Sequence, residues 1–363
     1  MRILCHINSL GKGGAERVMA TLIDKFIEDG HEVVLATIWT ADDEYTVSDK
    51  VKRISVGLYD SEDGLGRFAK LYKRYARLHD AIKNEKPDVI LSFTRNANYR
   101  AILAASGCKV PVVVSERNNP ATSYPGRKHK LMVEAIYSKA ARIVCQTTMA
   151  RDYFSDRLKN KSVIIANPLN PKYLNVSSAA NRSKRIVTAG RLNGVKNQKM
   201  LLEAMLKVHE GYPDYIAEIY GSAEGDNTVD RLKQFIQDNK MGEYVKLMGD
   251  SDTLESDLAD ATCFTMTSNH EGMPNALIEA MAIGVPVIST DCPGGACKQI
   301  VANNDSGYLV PVGDSDALSQ AIIHIIDDPA EAEEKAKRAR YVRDDMNPDR
   351  IYDKWMECLN ACI

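Results

Sequence analysis

The sequence predicts an α/β protein made of two doubly wound halves facing each other across a cleft. Short runs of consecutive apolar residues alternate with amphipathic stretches. Unbroken apolar runs suit parallel strands covered on both faces, and the alternation implies right-handed strand–helix–strand units. The pattern runs through once, breaks in a polar, turn-rich segment, and starts again. A length of 363 residues accommodates two domains of ordinary size.

In chain order, Arg2 to Ile7 reads as a buried strand. Residues 14–29 form a helix with Val18, Leu22, Ile23 and Phe26 on one stripe. His31 to Ile38 is the next strand, 66–84 a helix, and Val89 to Phe93, Val110 to Ser115 and Arg142 to Gln146 are further strands. Ser162 to Ala166 leads into Asn167-Pro168-Leu169-Asn170-Pro171 and then the polar stretch 177–183, which marks the linker. The second series follows: strand Arg185 to Ala189, helix 197–209, strand 215–220, helix 229–239, strand 244–248, helix 253–259, strand 261–267, helix 275–283 and strand 285–289. A last helix, about 349–360, carries Ile351, Trp355 and Leu359 and closes the chain by docking on the protein.

Composition narrows the function. With 44% hydrophobic and 26% charged residues the chain builds real cores, which excludes a disordered or collagen-like protein. A net charge of −2 gives no global reason to expect nucleic acid. No apolar run reaches the roughly 18 residues a membrane-spanning helix needs. The apolar start breaks at Asn8-Ser9 without a leader's cleavage site. The eight cysteines are scattered and form no Cys-x-x-Cys pair, which reads as reduced core thiols in a cytoplasmic protein.

Three loops carry candidate chemistry. Gly11-Lys12-Gly13-Gly14-Ala15-Glu16-Arg17 follows a strand and opens a helix, where backbone N–H groups favour an anion. It fits neither a dinucleotide fingerprint nor a Walker-type phosphate loop. It reads either as a flexible turn or as a backbone approach to a diphosphate or sugar. Gly190-Arg191-Leu192-Asn193-Gly194-Val195-Lys196-Asn197 repeats that placement with two cations, which suits a ligand bearing two phosphates. The third segment is the most informative. Glu271 lies in a loop, Gly272-Met273-Pro274-Asn275-Ala276-Leu277 opens a helix with Pro274 in its first turn, and Glu279 follows just over one turn on. One carboxylate then reaches sugar hydroxyls and the other ribose hydroxyls, around an anion site at the helix start.

Gly-Arg-Leu-x-x-x-Lys-Asn, then about 75 residues on Glu, seven residues and Glu, then Met-Ala-x-Gly-x-Pro-Val-Ile, resembles the retaining glycosyltransferases of family 4, which have the GT-B fold of two Rossmann-like domains. The Gly-Gly-Ala-Glu-Arg turn is similar too, so the resemblance covers nearly the whole chain. It implies an acceptor-binding domain over 1–168, a nucleotide-sugar domain over 169–345, and a C-terminal helix, 346–363, packing back on the N-terminal domain. It implies that Arg191 and Lys196 bind the donor diphosphate and stabilise the leaving group. Glu271 contacts the transferred sugar, Glu279 holds the ribose, and Gly13 and Gly14 approach the donor phosphate or sugar. UDP is the family's commonest nucleotide.

No cofactor or metal is expected, because cations and a helix terminus meet the diphosphate charge. Asp250-Ser251-Asp252 and Asp314-Ser315-Asp316 precede predicted helices and read as caps rather than metal ligands. Many family members carry a His after an N-domain strand; here the equivalent stretch is Ser115-Glu116-Arg117-Asn118-Asn119-Pro120. Glu116, Arg117 and Asn118, with Glu16, are the weaker candidates for the sugar or acceptor site. The stretch resembles bacterial polysaccharide and lipid-linked-oligosaccharide transferases, some handling N-acetylhexosamines.

Helix 66–84 places Lys70, Lys73, Arg74 and Arg77 opposite a stripe of Phe68, Leu71, Tyr72, Tyr75, Leu78 and Ile82. Arg127, Lys128 and Lys130 add a second basic loop. The stripe packs on its own sheet, the basic face meets anionic lipid or a polyprenyl diphosphate, or both hold. The expectation is a retaining hexosyl- or N-acetylhexosaminyltransferase, peripheral on the cytosolic membrane face, serving a glycan or lipid-linked acceptor. A sugar-nucleotide 2-epimerase or a phosphorylase of the same fold, and a non-catalytic nucleotide-sugar-binding protein, are the alternatives.

Overall fold

A computed structural model describes residues 1–223, 225–302 and 304–363. The chain divides into two compact units, Met1–Pro168 with Asp349–Ile363, and Leu169–Pro348.

The first unit is built on a seven-stranded sheet, β1 (Arg2–His6), β2 (Glu32–Thr37), β3 (Lys52–Ser55), β4 (Val89–Phe93), β5 (Val112–Glu116), β6 (Arg142–Cys145) and β7 (Ser162–Ile164). Its order is β3-β2-β1-β4-β5-β6-β7 and every pairing is parallel. The strand order reverses between β1 and β4, so the loops after these two strands share the crevice where such folds bind ligands. Side-chain alternation divides the core. Ile3, Cys5, Leu91, Phe93 and Val113 face one layer with Phe26; Leu4, Ile90, Val112, Val114 and Ile143 face the other with Leu78, Val133 and Tyr137.

The helix Pro348–Asn360 completes the first layer: Ile351, Trp355 and Leu359 are fully buried in it. Their spacing of four residues puts all three on one helical stripe. The Trp355 ring lies 5.4 Å from that of Phe93, and the Tyr352 hydroxyl donates to Asp29 at 2.7 Å. The change of unit falls at 348/349 rather than at the expected 345/346. Met346 still belongs with the second unit, because its carbonyl accepts from the Leu169 N–H at 2.8 Å.

The second unit carries six parallel strands, β8 (Ser183–Ala189), β9 (Ile216–Tyr220), β10 (Val245–Gly249), β11 (Ala261–Met266), β12 (Val287–Thr290) and β13 (Tyr308–Val310), in the order β10-β9-β8-β11-β12-β13. Here the reversal falls between β8 and β11. Both sheets carry helices on both faces, and each unit has the Rossmann-like architecture; together they are the two domains of a GT-B fold.

Candidate active site

The parallel order of the second sheet brings the loops after β8, β11 and β12 to one edge. After β8 the chain turns at Gly190, whose φ of +149° is open to glycine. Gly221, after β9, has φ +134°, and a Cβ there would collide with the Gly190 carbonyl. Two glycines therefore let the β8 and β9 loops touch, and Leu192 N–H donates to Ser222 at 2.8 Å.

This contact presents the Arg191–Lys196 loop to the one after β11. Asn269 N–H donates to the Val195 carbonyl at 2.8 Å, its side chain donates to Gly194 at 2.9 Å, and the Thr267 hydroxyl donates to Lys196 at 2.9 Å. At the junction the Lys196 ammonium donates to Glu271 Oε1 at 2.6 Å, with the two side chains only 24% and 10% exposed. The Ser268 hydroxyl donates to the same oxygen at 2.6 Å, and the Ser268 carbonyl accepts from Thr290 on β12 at 2.6 Å. The two charged residues expected to share a ligand are thus already partners, with Ser268 as the third member.

The helix Asn275–Ile283 starts beside this cluster. Asn275 N–H donates to the Met273 carbonyl at 3.1 Å, and the helix's first turn lies at its positive end, where an anion is favoured. Pro274 caps the helix instead of occupying its first turn, with φ −85° and ψ 81°. Glu279 is buried within the helix at 5% exposure. Gly272, Met273, Asn275 and Ala276 are half-buried, whereas Pro274 and Leu277 are buried. Arg191 is exposed at the same loop edge.

Of the two Asp-x-Asp segments, Asp314 caps its helix by accepting from Ala317 N–H at 2.9 Å. Asp250 and Asp252 do not: Thr253 is the capping residue of Leu254–Leu258, without a side-chain bond. Among the described residues no three His, Cys, Asp or Glu side chains converge on a metal position.

In the first unit, Gly13 caps the helix Gly14–Glu28, and the Glu16 side chain folds back so closely that a Cβ on Gly13 would strike its carboxylate. Of the weaker candidates for the sugar or acceptor site, Glu116 and Arg117 are buried. Glu116, 1% exposed, points beneath the neighbouring helices, where the Tyr124 and Tyr137 hydroxyls donate to its Oε2 at 2.5 and 3.0 Å. Desolvation raises its pKa to about 7. Arg117 is buried over the Phe93 ring, 4.6 Å from its centroid, and donates to Asn167 and Ser115. Burial pulls its pKa down while the Glu16 charge opposes the fall. Asn118 alone of the three is exposed. The end of β4 carries a strained residue that pattern reading missed: Thr94 has φ +75° and ψ 148°, a region few residues but glycine enter.

The basic helix also differs from expectation. In Arg67–Glu85 only Leu78 and Ile82 of the six stripe residues are buried; Phe68 is 86% and Tyr72 67% exposed, with Leu71 also exposed. Arg77 and Lys73 pair with Glu62 at 2.7 and 3.5 Å, and Arg77 covers the Tyr59 ring. These two cations hold the 57–62 loop and are not a free basic face. Arg74 and Lys70 are half-buried. Arg127, Lys128 and Lys130 lie exposed at the start of the helix Gly126–Tyr137, which also exposes Leu131 and Met132. Among the described residues no helix is long and apolar enough to cross a membrane.

Comparison with known proteins gives a consistent picture. Residues 170–343 match the family model described as "Glycosyl transferases group 1", and 12–173 match "Glycosyltransferase Family 4". A Campylobacter jejuni α-1,4-N-acetyl-D-galactosaminyltransferase acting on a diphospho-undecaprenol-linked saccharide is 24% identical, over 99% of this chain and 98% of its own. A second Campylobacter jejuni enzyme, a 4-α-N-acetylgalactosaminyltransferase acting on N-acetylgalactosamine-N,N'-diacetylbacillosaminyl-diphospho-undecaprenol, is 26% identical over 89% of each chain. The Anabaena protein Alr3699/HepE, solved with UDP and glucose, superposes with a TM-score of 0.82 over 99% of both chains at 18% identity.

Proposed function

We propose, for a chain that belongs to the family 4 glycosyltransferases of GT-B fold, that it moves a hexose or N-acetylhexosamine with retention of configuration from a nucleotide-diphosphate sugar to a glycan or polyprenyl-diphosphate-linked acceptor. The observation that carries this reading is the convergence of Lys196, Ser268 and Glu271 just before the helix Asn275–Ile283, on the loop edge that also carries Arg191. Cations and amide dipoles fixed at one spot stabilise the charge that grows on a departing diphosphate. UDP is the first nucleotide to test, on the strength of the resemblance and of the UDP bound by the Anabaena protein. The diphosphate-linked acceptors of the Campylobacter relatives motivate the acceptor class.

Each residue then has a role. Arg191 and Lys196 bind the two phosphates, and the amides near Asn275 to Leu277 complete that grip. Glu271 orients the transferred sugar and Glu279 holds the ribose. Gly13 and Gly14 offer backbone to the donor's phosphate or sugar. Glu271 and Glu279 are not a hydrolase-type pair of nucleophile and acid. The leaving phosphate oxygen takes the acceptor's proton while attack occurs on the face that the leaving group vacates. The protein's part is alignment and charge stabilisation.

The acceptor's lipid brings the enzyme to the cytosolic membrane face. Phe68, Leu71 and Tyr72 on one helix, and Leu131 and Met132 on another, stand exposed beside Lys70, Arg127, Lys128 and Lys130. Both helices cover the same face of the first sheet. Apolar side chains flanked by cations suit an anionic bilayer surface. Flotation with anionic vesicles checks this part: binding that weakens in Phe68→Ser/Tyr72→Ser supports it, and no binding at low salt overturns it. For the reaction itself, a panel of nucleotide sugars is incubated with and without membrane lipid extract, and product configuration is read by NMR. Release of UDP or GDP that rises with lipid extract, with the sugar's anomeric configuration kept, supports the reading. Absence of nucleotide release from every donor overturns it.

A further inference from the structure

We propose that Cys292 and Cys297 form an oxidisable dithiol beside the donor site, a modification site for a small two-electron oxidant such as hydrogen peroxide, whose disulfide form slows sugar transfer. The effect on transfer rests on the function proposed above; the thiol chemistry does not.

Among the described residues these are the two cysteines whose sulfurs meet, 3.7 Å apart and both buried. They follow β12 in the sequence Cys292-Pro293-Gly294-Gly295-Ala296-Cys297. Gly294 and Gly295 take φ values of +119° and +70°, which bends the chain back so that the helix Ala296–Ala302 returns Cys297 to Cys292. A disulfide bond is about 2.05 Å long, so closure draws the sulfurs together by about 1.6 Å. The Cys297 thiol donates toward Cys292 and favours its thiolate, holding the Cys292 thiol below its ordinary range and raising that of Cys297. By contrast, burial first of all pushes the Cys5, Cys145 and Cys263 thiols up, which leaves them inert. A groove of about 590 Å³ is lined by Asp291 and Pro293, the neighbours of Cys292 on either side.

The chemistry balances with peroxide as the co-reactant. The Cys292 thiol gives up its proton and the thiolate attacks one peroxide oxygen; the S–O bond forms, the O–O bond breaks, and the leaving hydroxide takes up that proton to become water. The Cys297 sulfur then attacks the Cys292 sulfenic acid; the S–S bond forms, the S–O bond breaks, and the oxygen departs as water with the Cys297 proton. Two thiols are oxidised to one disulfide and one peroxide is reduced to two waters.

The same segment supports the catalytic loop. The Pro293 carbonyl, next to Cys292, accepts from the Glu271 N–H at 3.3 Å. Two residues before Cys292, the Thr290 hydroxyl holds Ser268, which in turn holds Glu271. Drawing Cys292 toward Cys297 therefore pulls on the backbone acceptor of Glu271. A displacement on the order of 1 Å at a positioned group costs up to about a hundredfold in rate.

The test treats reduced full-length protein with peroxide and follows mass, donor turnover and hydrogen exchange over 268–274. Support is a mass lower by about 2 Da with both thiols of the 292–297 peptide protected from alkylation. Turnover must fall at least about tenfold and recover with dithiothreitol. Cys297→Ser should keep its basal turnover and lose both the mass change and the reversible inhibition. Free thiols at both positions after peroxide overturn the site. A disulfide that leaves turnover and exchange unchanged overturns the coupling. Should the reduced enzyme release no nucleotide from any donor, the functional reading fails separately; mass and exchange still decide this one, faster exchange over 268–274 upholding the coupling and unchanged exchange ending it.

Discussion

Replacing Glu116 by Gln should flatten the pH dependence of the first unit's stability between pH 4.5 and 7. The carboxyl is fully buried, and its raised pKa arises first from desolvation, which the bonds from Tyr124 and Tyr137 only partly offset. In the unfolded chain the group ionises near 4.5; in the folded protein it does so near 7. Between those values the unfolded chain gives up a proton that the folded one keeps, so stability falls as pH rises, and is constant again above the folded value. At about 1.4 kcal/mol per pH unit the loss comes to about 3 kcal/mol.

Glutamine keeps an acceptor for the two tyrosines and cannot ionise. Its amide takes the place of Oε1, which has no partner, and leaving that donor unsatisfied costs about 1 kcal/mol or more at every pH. The variant should therefore match or fall below the wild type at pH 5 and exceed it at pH 8. Urea unfolding followed by tryptophan fluorescence is the assay, because Trp39 and Trp355 both lie in the first unit and report it selectively. Equal pH slopes in the two proteins would refute the assignment of a titrating buried carboxyl.

Lys196→Ala should cut donor turnover by about 10²–10³-fold, the usual loss for one group that stabilises developing charge, with circular dichroism unchanged; near-normal turnover removes the diphosphate role. Ser268→Ala should lower kcat about tenfold while the calorimetric Kd for UDP stays put, since a hydrogen bond to a charged group contributes about 1.5–3 kcal/mol and this one holds Glu271 rather than the nucleotide. A matched weakening of UDP binding would mean that Ser268 acts on the whole loop. Glu279→Ala should chiefly raise the donor's Kd and Glu271→Ala chiefly lower kcat, and the reverse pattern in paired kinetic and calorimetric runs would exchange their roles.

The legibility of this chain followed hydrophobic pattern and motif spacing. Strands such as Val89–Phe93 and Ala261–Met266 are mostly apolar runs buried at every position, so their composition announces them. Lys52–Ser55 passed unread because three of its four residues are exposed and charged or polar, as suits an edge strand. In the site, Arg191, Lys196, Glu271 and Glu279 stood out by charge and spacing. Ser268 did not, because a serine at a strand end usually signals a turn. Its one clue was its place three residues before Glu271. Glu116 stood out by its charge, and only the fold shows two tyrosines, 8 and 21 residues away, closing over it. Periodicity likewise gave Phe68 and Leu78 one stripe, although only Leu78 is buried and Phe68 in the first turn is exposed.

The pairing of Lys196 with Glu271 shapes how donor binding must proceed. In this structure the ammonium is already neutralised by a buried carboxylate 2.6 Å away. A diphosphate arriving at Lys196 competes with that partner, so its net gain is the difference between two ion pairs and not the full attraction of a bare cation. The competition would be costly if Glu271 were left stranded. It is not, because Ser268 donates to the same oxygen and the loop N–H of Glu271 is tied to Pro293. Glu271 can thus release Lys196 to the phosphate and remain oriented toward the sugar. On this reasoning the double variant Lys196→Ala/Ser268→Ala should lose more turnover than the product of the single losses, because either remaining partner keeps Glu271 placed while the absence of both frees it. A strictly multiplicative loss would mean that the two donors serve the reaction independently.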